Sequence, residues 1–165
     1  GAMGNITSNG DLIPSESVTR WNTRGKFRQT KLEYQDSTLS AFEASSELIK
    51  KYHIDDPVGI RNTIDPVSLT LWLLMDREKS QLCKQKATIL DGFRMSELSF
   101  ENKNIFQDLI ICSGKIKRVK GFKDSDLNKK PLKFKILYSL TNRNNFEVST
   151  VEIETIFGKI VLRTL

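Results

Sequence analysis

The sequence predicts an α+β fold, with N-terminal helices packed on a C-terminal antiparallel sheet and a flexible N-terminal arm. Three observations carry this expectation. Leu132, Phe134, Ile136, Tyr138 and Leu140 alternate with Lys133, Lys135, Ser139 and Thr141 on the other side, the period-2 pattern of a half-buried strand. Leu39, Phe42 and Ile49 recur at spacings of three and seven, broadened by Ala41, Ala44, Leu48 and Tyr52, as on the apolar stripe of a helix. Residues 1–20 are rich in Gly, Ser, Asn and Thr, carry Pro14 and show no apolar period, which suits a chain that buries nothing.

The elements follow in order. Residues 1–20 are expected to be a disordered arm that includes an expression scar, Gly1-Ala2-Met3-Gly4, and residues 21–165 a single α+β domain. Lys26–Tyr34 is irregular, with a short strand as one reading. Asp36 or Ser37 opens a helix that runs to Tyr52, with Glu47 and Lys51 as an i, i+4 pair. Asp55-Asp56-Pro57 ends it. Asp65-Pro66 then starts a second helix, to about Lys84, through the apolar run Val67–Met75. A buried strand is the alternative there. Ile105–Cys112 reads as a strand. After Leu132–Leu140 come a polar turn at residues 142–145 and a partner strand with Phe146, Val148, Val151 and Ile153. Its change of face at Ser149-Thr150 implies a bulge. Gly158 breaks that strand, and Ile160–Leu162 makes a last one.

Charge is the most informative functional signal. Between residues 115 and 135, nine cations stand against only Asp124 and Asp126: Lys115, Lys117, Arg118, Lys120, Lys123, Lys129, Lys130, Lys133 and Lys135. The segment carries +7 while the whole chain carries +6, so the positive charge is concentrated and attracts anionic partners. A second basic stretch, Arg20, Arg24, Lys26 and Arg28, is interleaved with Trp21 and Phe27.

The chemistry for catalysis is sparse. His53, the one histidine, reads as a surface residue beside the last carbonyls of the first helix rather than as a general base. Cys83 and Cys112 read as reduced thiols inside a cell, and they share no turn with His53 that would make a zinc or nucleophile pair. Ser113-Gly114-Lys115 lacks the upstream glycine and the following hydroxyl of a phosphate loop. Glu152 and Glu154 share a strand face that solvent accounts for more simply than a cation does. The expectation is a non-enzyme without cofactor or metal.

Three readings follow for the basic segment. It binds phosphate backbones, with Phe122 stacking on a base; it binds an acidic membrane or protein surface; or its lysines are solvated and guard a sheet edge. The preferred one is a scaffold or assembly domain that binds an anionic partner, nucleic acid first. The runner-up is an interaction module with protein partners in a larger complex. In composition alone, the chain is similar to basic matrix-type assembly proteins of viruses, which pair a compact domain and arm with charge for acidic membrane and nucleoprotein. No motif supports membership. An intracellular location is expected, since neither a secretory leader nor an apolar run of about 18 residues is visible.

Overall fold

A computed structural model describes residues 1–7, 11–23, 25–51, 56–141, 145–155 and 158–163. It corrects the predicted class. Among the described residues the fold is mostly strand, 62% against 14% helical, in two sheets with three short helices, rather than helices packed on a sheet.

The small sheet has the order β1-β2-β3-β4, formed by Ala2–Ile6, Leu12–Thr23, Lys26–Gln35 and Thr38–Ala44. The expected arm is therefore the first two strands of a sheet. Its backbone hydrogen bonds go to neighbouring strands, with Ser17 opposite Leu32 and buried. The lack of apolar periodicity did not prevent order, because main-chain pairing needs no particular side chain. The expected first helix is also corrected. Asp36 and Ser37 both take positive φ, 48° and 60°, between the paired residues Gln35 and Thr38. That is a two-residue hairpin turn of the kind that matches strand twist. It commits Thr38–Ala44 to β4, and only Ser46–Lys51 is helical (α1). Tyr52, Asp55 and His53 lie outside the described residues.

The large sheet is a seven-stranded array, ordered β11-β10-β9-β8-β7-β6-β5. Its strands are Thr63–Ile64 (β5), Lys86–Leu90 (β6), Met95–Phe106 (β7), Leu109–Lys120 (β8), Leu132–Leu140 (β9), Phe146–Thr155 (β10) and Gly158–Arg163 (β11). All neighbours are antiparallel except β5 and β6. β9 has the bounds its alternation suggests, and its register with β10 shifts between Val148 and Thr150, where the bulge was expected. The apolar run at 105–112 is not one strand. It straddles the β7–β8 turn at Gln107-Asp108, with Phe106 opposite Leu109. Apolar residues on both flanks of a tight turn hide the turn from a composition reading.

Helix α2, Pro66–Leu74, packs on the inner face of this sheet. Asp65 caps it: its Oδ1 accepts from the amides of Val67 (2.9 Å) and Ser68 (3.0 Å), the arrangement that satisfies a helix's first free donors. The helix stops ten residues short of the expected Lys84. Buried Arg77 caps its end, donating to the Trp72 carbonyl oxygen at 2.6 Å with its guanidinium over the Trp72 ring. Burial holds the Arg77 pKa below its usual value. Leu69 and Trp72 join Leu98, Ile110, Ile136, Tyr138 and Val148 in the main core. A second cluster, Leu32, Tyr34, Leu39 and Leu90, joins the small sheet to the β6–β7 end of the large one.

The thiol expectation is overturned as well. Cys83 and Cys112 form a disulfide that ties the segment after α2 to the first half of β8, with the Cα atoms 5.2 Å apart. Twenty-nine residues separate the two in sequence, and spacing alone did not reveal that β8 returns beneath Cys83.

Candidate functional site

The basic segment 115–135 supplies the second half of β8, the connection with short helix α3 (Asp124–Leu127), and the start of β9. Lys115 lies directly opposite Lys133, and Ser113 opposite Lys135. The strand pairing expected from sequence exists, and Lys115, Lys117, Lys133 and Lys135 share the outer face, away from the core. The neighbouring strands alter its electrostatics. β7 sets Glu97 opposite Lys117, and β10 sets Glu152 opposite Lys135. Lys115 pairs with Glu101 at 2.6 Å, and Lys159 with Glu152 at 3.0 Å. The outer face is thus a lattice of alternating sign, whose cross-strand pairs contribute a few tenths of a kcal/mol each. It is not a cationic plate.

The densest group of exposed cations lies at one end, around the β8–β9 connection. Lys117, Lys120, Lys123, Lys129, Lys130 and Lys133 are all exposed there. Val119 and Leu127, 40% and 36% exposed, stand among them. Lys129 is bonded to Asp126. That hydrogen bond holds the Asp126 carboxyl below the usual carboxylate range. Arg118 points the other way, to the side of Ile116. Its guanidinium lies 5.9 Å from the centre of the Phe122 ring and donates to the Lys130 carbonyl at 3.4 Å. Arg94, paired with Asp91 at 2.8 Å, approaches the same ring at 5.5 Å. Phe122 is therefore half-buried with two guanidinium contacts. Gly121 needs its positive φ of 79° here, and a Cβ on it would meet the Phe93 carbonyl oxygen.

The described N-terminal cations belong to the small sheet and pair locally. Arg20 donates to Gln29 Oε1 at 2.8 Å, while Lys26 and Arg28 lie 3.5 and 3.8 Å from Glu47 of α1. Lys31 bonds Glu33 and Glu16, and these bonds raise its pKa above the usual lysine value. Arg24 lies outside the described residues.

Among the described residues, no three His, Cys, Asp or Glu side chains gather as metal ligands would. A sulfur joined in a disulfide is not a thiolate nucleophile, so the Cys–His reading loses its chemistry. No described helix is long and apolar enough to cross a membrane.

One feature of the inner face was missed from sequence. A groove of about 390 Å³ runs between α2 and strands β7–β11, walled by residues such as Leu73, Phe134, Val151 and Leu162. The inward residues of β9, β10 and β11 were legible as an apolar face. That α2 ends too soon to cover them was not, since the stop depends on Arg77. No family model, curated protein or solved structure matches this chain, so any functional reading rests on these geometries.

Proposed function

We propose that this protein is a non-enzymatic binding domain that docks on an anionic membrane surface through its β8–β9 end. The observation that carries the reading is the joint exposure of Lys117, Lys120, Lys123, Lys129, Lys130 and Lys133 around Val119 and Leu127. Lysines near an acidic bilayer contribute about 1 kcal/mol each, and adjacent apolar side chains add shallow insertion. Engagement of Phe122 by Arg94 and Arg118 favours packing over base stacking for that ring, because single-strand binders use open aromatic faces, which weakens one part of the nucleic-acid reading. The Cys83–Cys112 disulfide supports an oxidising compartment rather than the expected intracellular one, so the acidic surface meant is one that faces such a compartment, not a cytoplasmic leaflet.

Vesicle flotation tests this. Vesicles with acidic phospholipid should carry the protein at low salt, and neutral vesicles should not. Replacing Lys123, Lys129, Lys130 and Lys133 with Glu should lower the partition by at least about a thousandfold, from about 1 kcal/mol per lysine. Equal recovery with neutral and acidic vesicles would overturn the proposal. So would a nonspecific oligonucleotide bound with steep salt dependence while acidic vesicles are ignored; that outcome would restore the nucleic-acid reading.

A further inference from the structure

We infer that the free edge of β11 takes up an extended peptide segment of alternating acidic and apolar residues, as one further antiparallel strand of the large sheet. β11 contributes no residue to the cationic end at β8–β9. The large sheet has two unlike edges. At one stands β5, two residues long and buried, the short kind of edge strand that offers little to pair with. At the other stands β11, six residues long and exposed throughout. Ile160, Val161 and Leu162 follow one another there at 49%, 41% and 60% exposure. Among the described residues, β11 pairs on one side alone, with β10. In such a strand every second residue turns its N–H and C=O away from the neighbour, and these unmet groups are a template for another strand.

The side chains of β11 give the guest's chemistry. The register with β10 sets Ile160 and Leu162 opposite Ile153 and Val151, whose side chains pack against the core. Lys159, Val161 and Arg163 alternate to the outer face, opposite Glu154, Glu152 and Thr150. The strand that β11 already accepts therefore reads Val151-Glu152-Ile153-Glu154, apolar inside and acidic outside. Glu152, opposite Val161, reaches diagonally to Lys159 at 3.0 Å. A strand on the free edge meets the same side chains of β11. Its inward apolar residues lie beside Ile160 and Leu162, and its outward carboxylates meet Lys159 and Arg163. The Arg163 guanidinium has no ion pair or side-chain hydrogen bond among the described residues. Main-chain bonds supply the affinity in strand addition, and cross-strand pairs of opposite charge or of apolar residues supply the choice of partner. The same cations repel a basic strand. A second copy of this chain, at +6, is repelled as a whole.

The test titrates the full, oxidised chain with the end-blocked peptide Thr-Val-Glu-Ile-Glu-Thr, which repeats residues 150–155, and follows amide resonances and their hydrogen exchange. The peptide should bind saturably and slow the exchange of alternate amides within Lys159–Arg163. A peptide with Lys in place of both Glu should bind about tenfold more weakly, since two attractions become repulsions. Arg163→Glu should bring the two peptides to within about threefold of each other, because one outward cation of the edge becomes an anion. Two N-methylated peptides keep the test independent of any variant's folding. One is methylated at the Val and Ile amides, the other at both Glu amides. Only one of these sets faces β11, so one peptide should lose binding and the other keep it. No saturable binding, protection outside β11, equal affinity of the Glu and Lys peptides, or equal behaviour of the two methylated peptides overturns the inference. So does dimerisation that protects the β11 amides without peptide, since a second copy then holds the edge.

Discussion

Reducing the Cys83–Cys112 disulfide should cost this fold about 3.6 kcal/mol. The estimate follows from the separation of 29 residues, through the entropy a crosslink of that span removes from the unfolded chain at room temperature. The native state adds its own reason for a large effect. Cys112 is fully buried, and the bridge is the covalent link between the segment after α2 and the central strand β8. Urea titrations of oxidised and dithiothreitol-reduced protein, otherwise identical in sequence, compare the two directly. With a slope of about 2 kcal/mol per molar urea, the midpoint should fall by about 1.8 M. Thiol labelling of the unreduced, denatured protein should find neither cysteine free. Two reactive thiols in that experiment would refute both the bridge and the compartment argument built on it, and coincident unfolding curves would refute the entropic estimate.

Two further predictions concern the core. Gly114→Ala should destabilise by about 2 to 3 kcal/mol, read as a urea midpoint, because a Cβ there would sit 2.4 Å from the Ser99 carbonyl oxygen and 2.5 Å from Phe134 Cζ. The Phe134 ring is itself held edge-on by Phe100 at 5.3 Å, so it has little room to yield, and a loss under about 0.5 kcal/mol would show that it does. The Tyr138 phenol is pushed by burial up to about 12. A raised folded value means that the stabilisation is complete below the unfolded value near 10 and is lost as pH rises from there toward 12. Tyr138 should therefore contribute a fall in urea stability of about 2 to 3 kcal/mol over that window, and Tyr138→Phe should remove that share of the fall; a pH-independent midpoint would contradict the burial argument. Burial and the Asp65 charge raise Tyr34 in the same direction.

The readable parts of this fold were those in which side-chain pattern and local geometry agree. β9 alternates because one of its faces lies on the core, and the bulge in β10 shows as a slip of that alternation at Ser149. Asp65-Pro66 announces α2 because capping and the first-turn proline are local chemistry. The misread parts were those in which distant contacts override local preference. Leu39, Phe42 and Ile49 fit a helical stripe, yet the turn at Asp36-Ser37 and pairing with β3 draw the first two into a strand. Residues 2–6 and 12–23 lack apolar periodicity, yet neighbouring strands supply partners for their main chain.

The candidate site divides in the same way. Its cations can be counted in one dimension, and the exposed cluster around the β8–β9 connection is a direct consequence of their adjacency in sequence. Adjacency also fixes the facing pair Lys115 and Lys133, across one short connection. What the chain order does not contain is the company these residues keep. Glu97, Glu101 and Glu152 reach the same face from other strands, Arg94 and Arg118 meet over Phe122, and Cys83 meets Cys112. Charge and periodicity are properties of segments and persist through folding. Neutralisation, crosslinking and the open groove beneath α2 depend on which segments become neighbours, and that is decided when the two sheets and the helix pack.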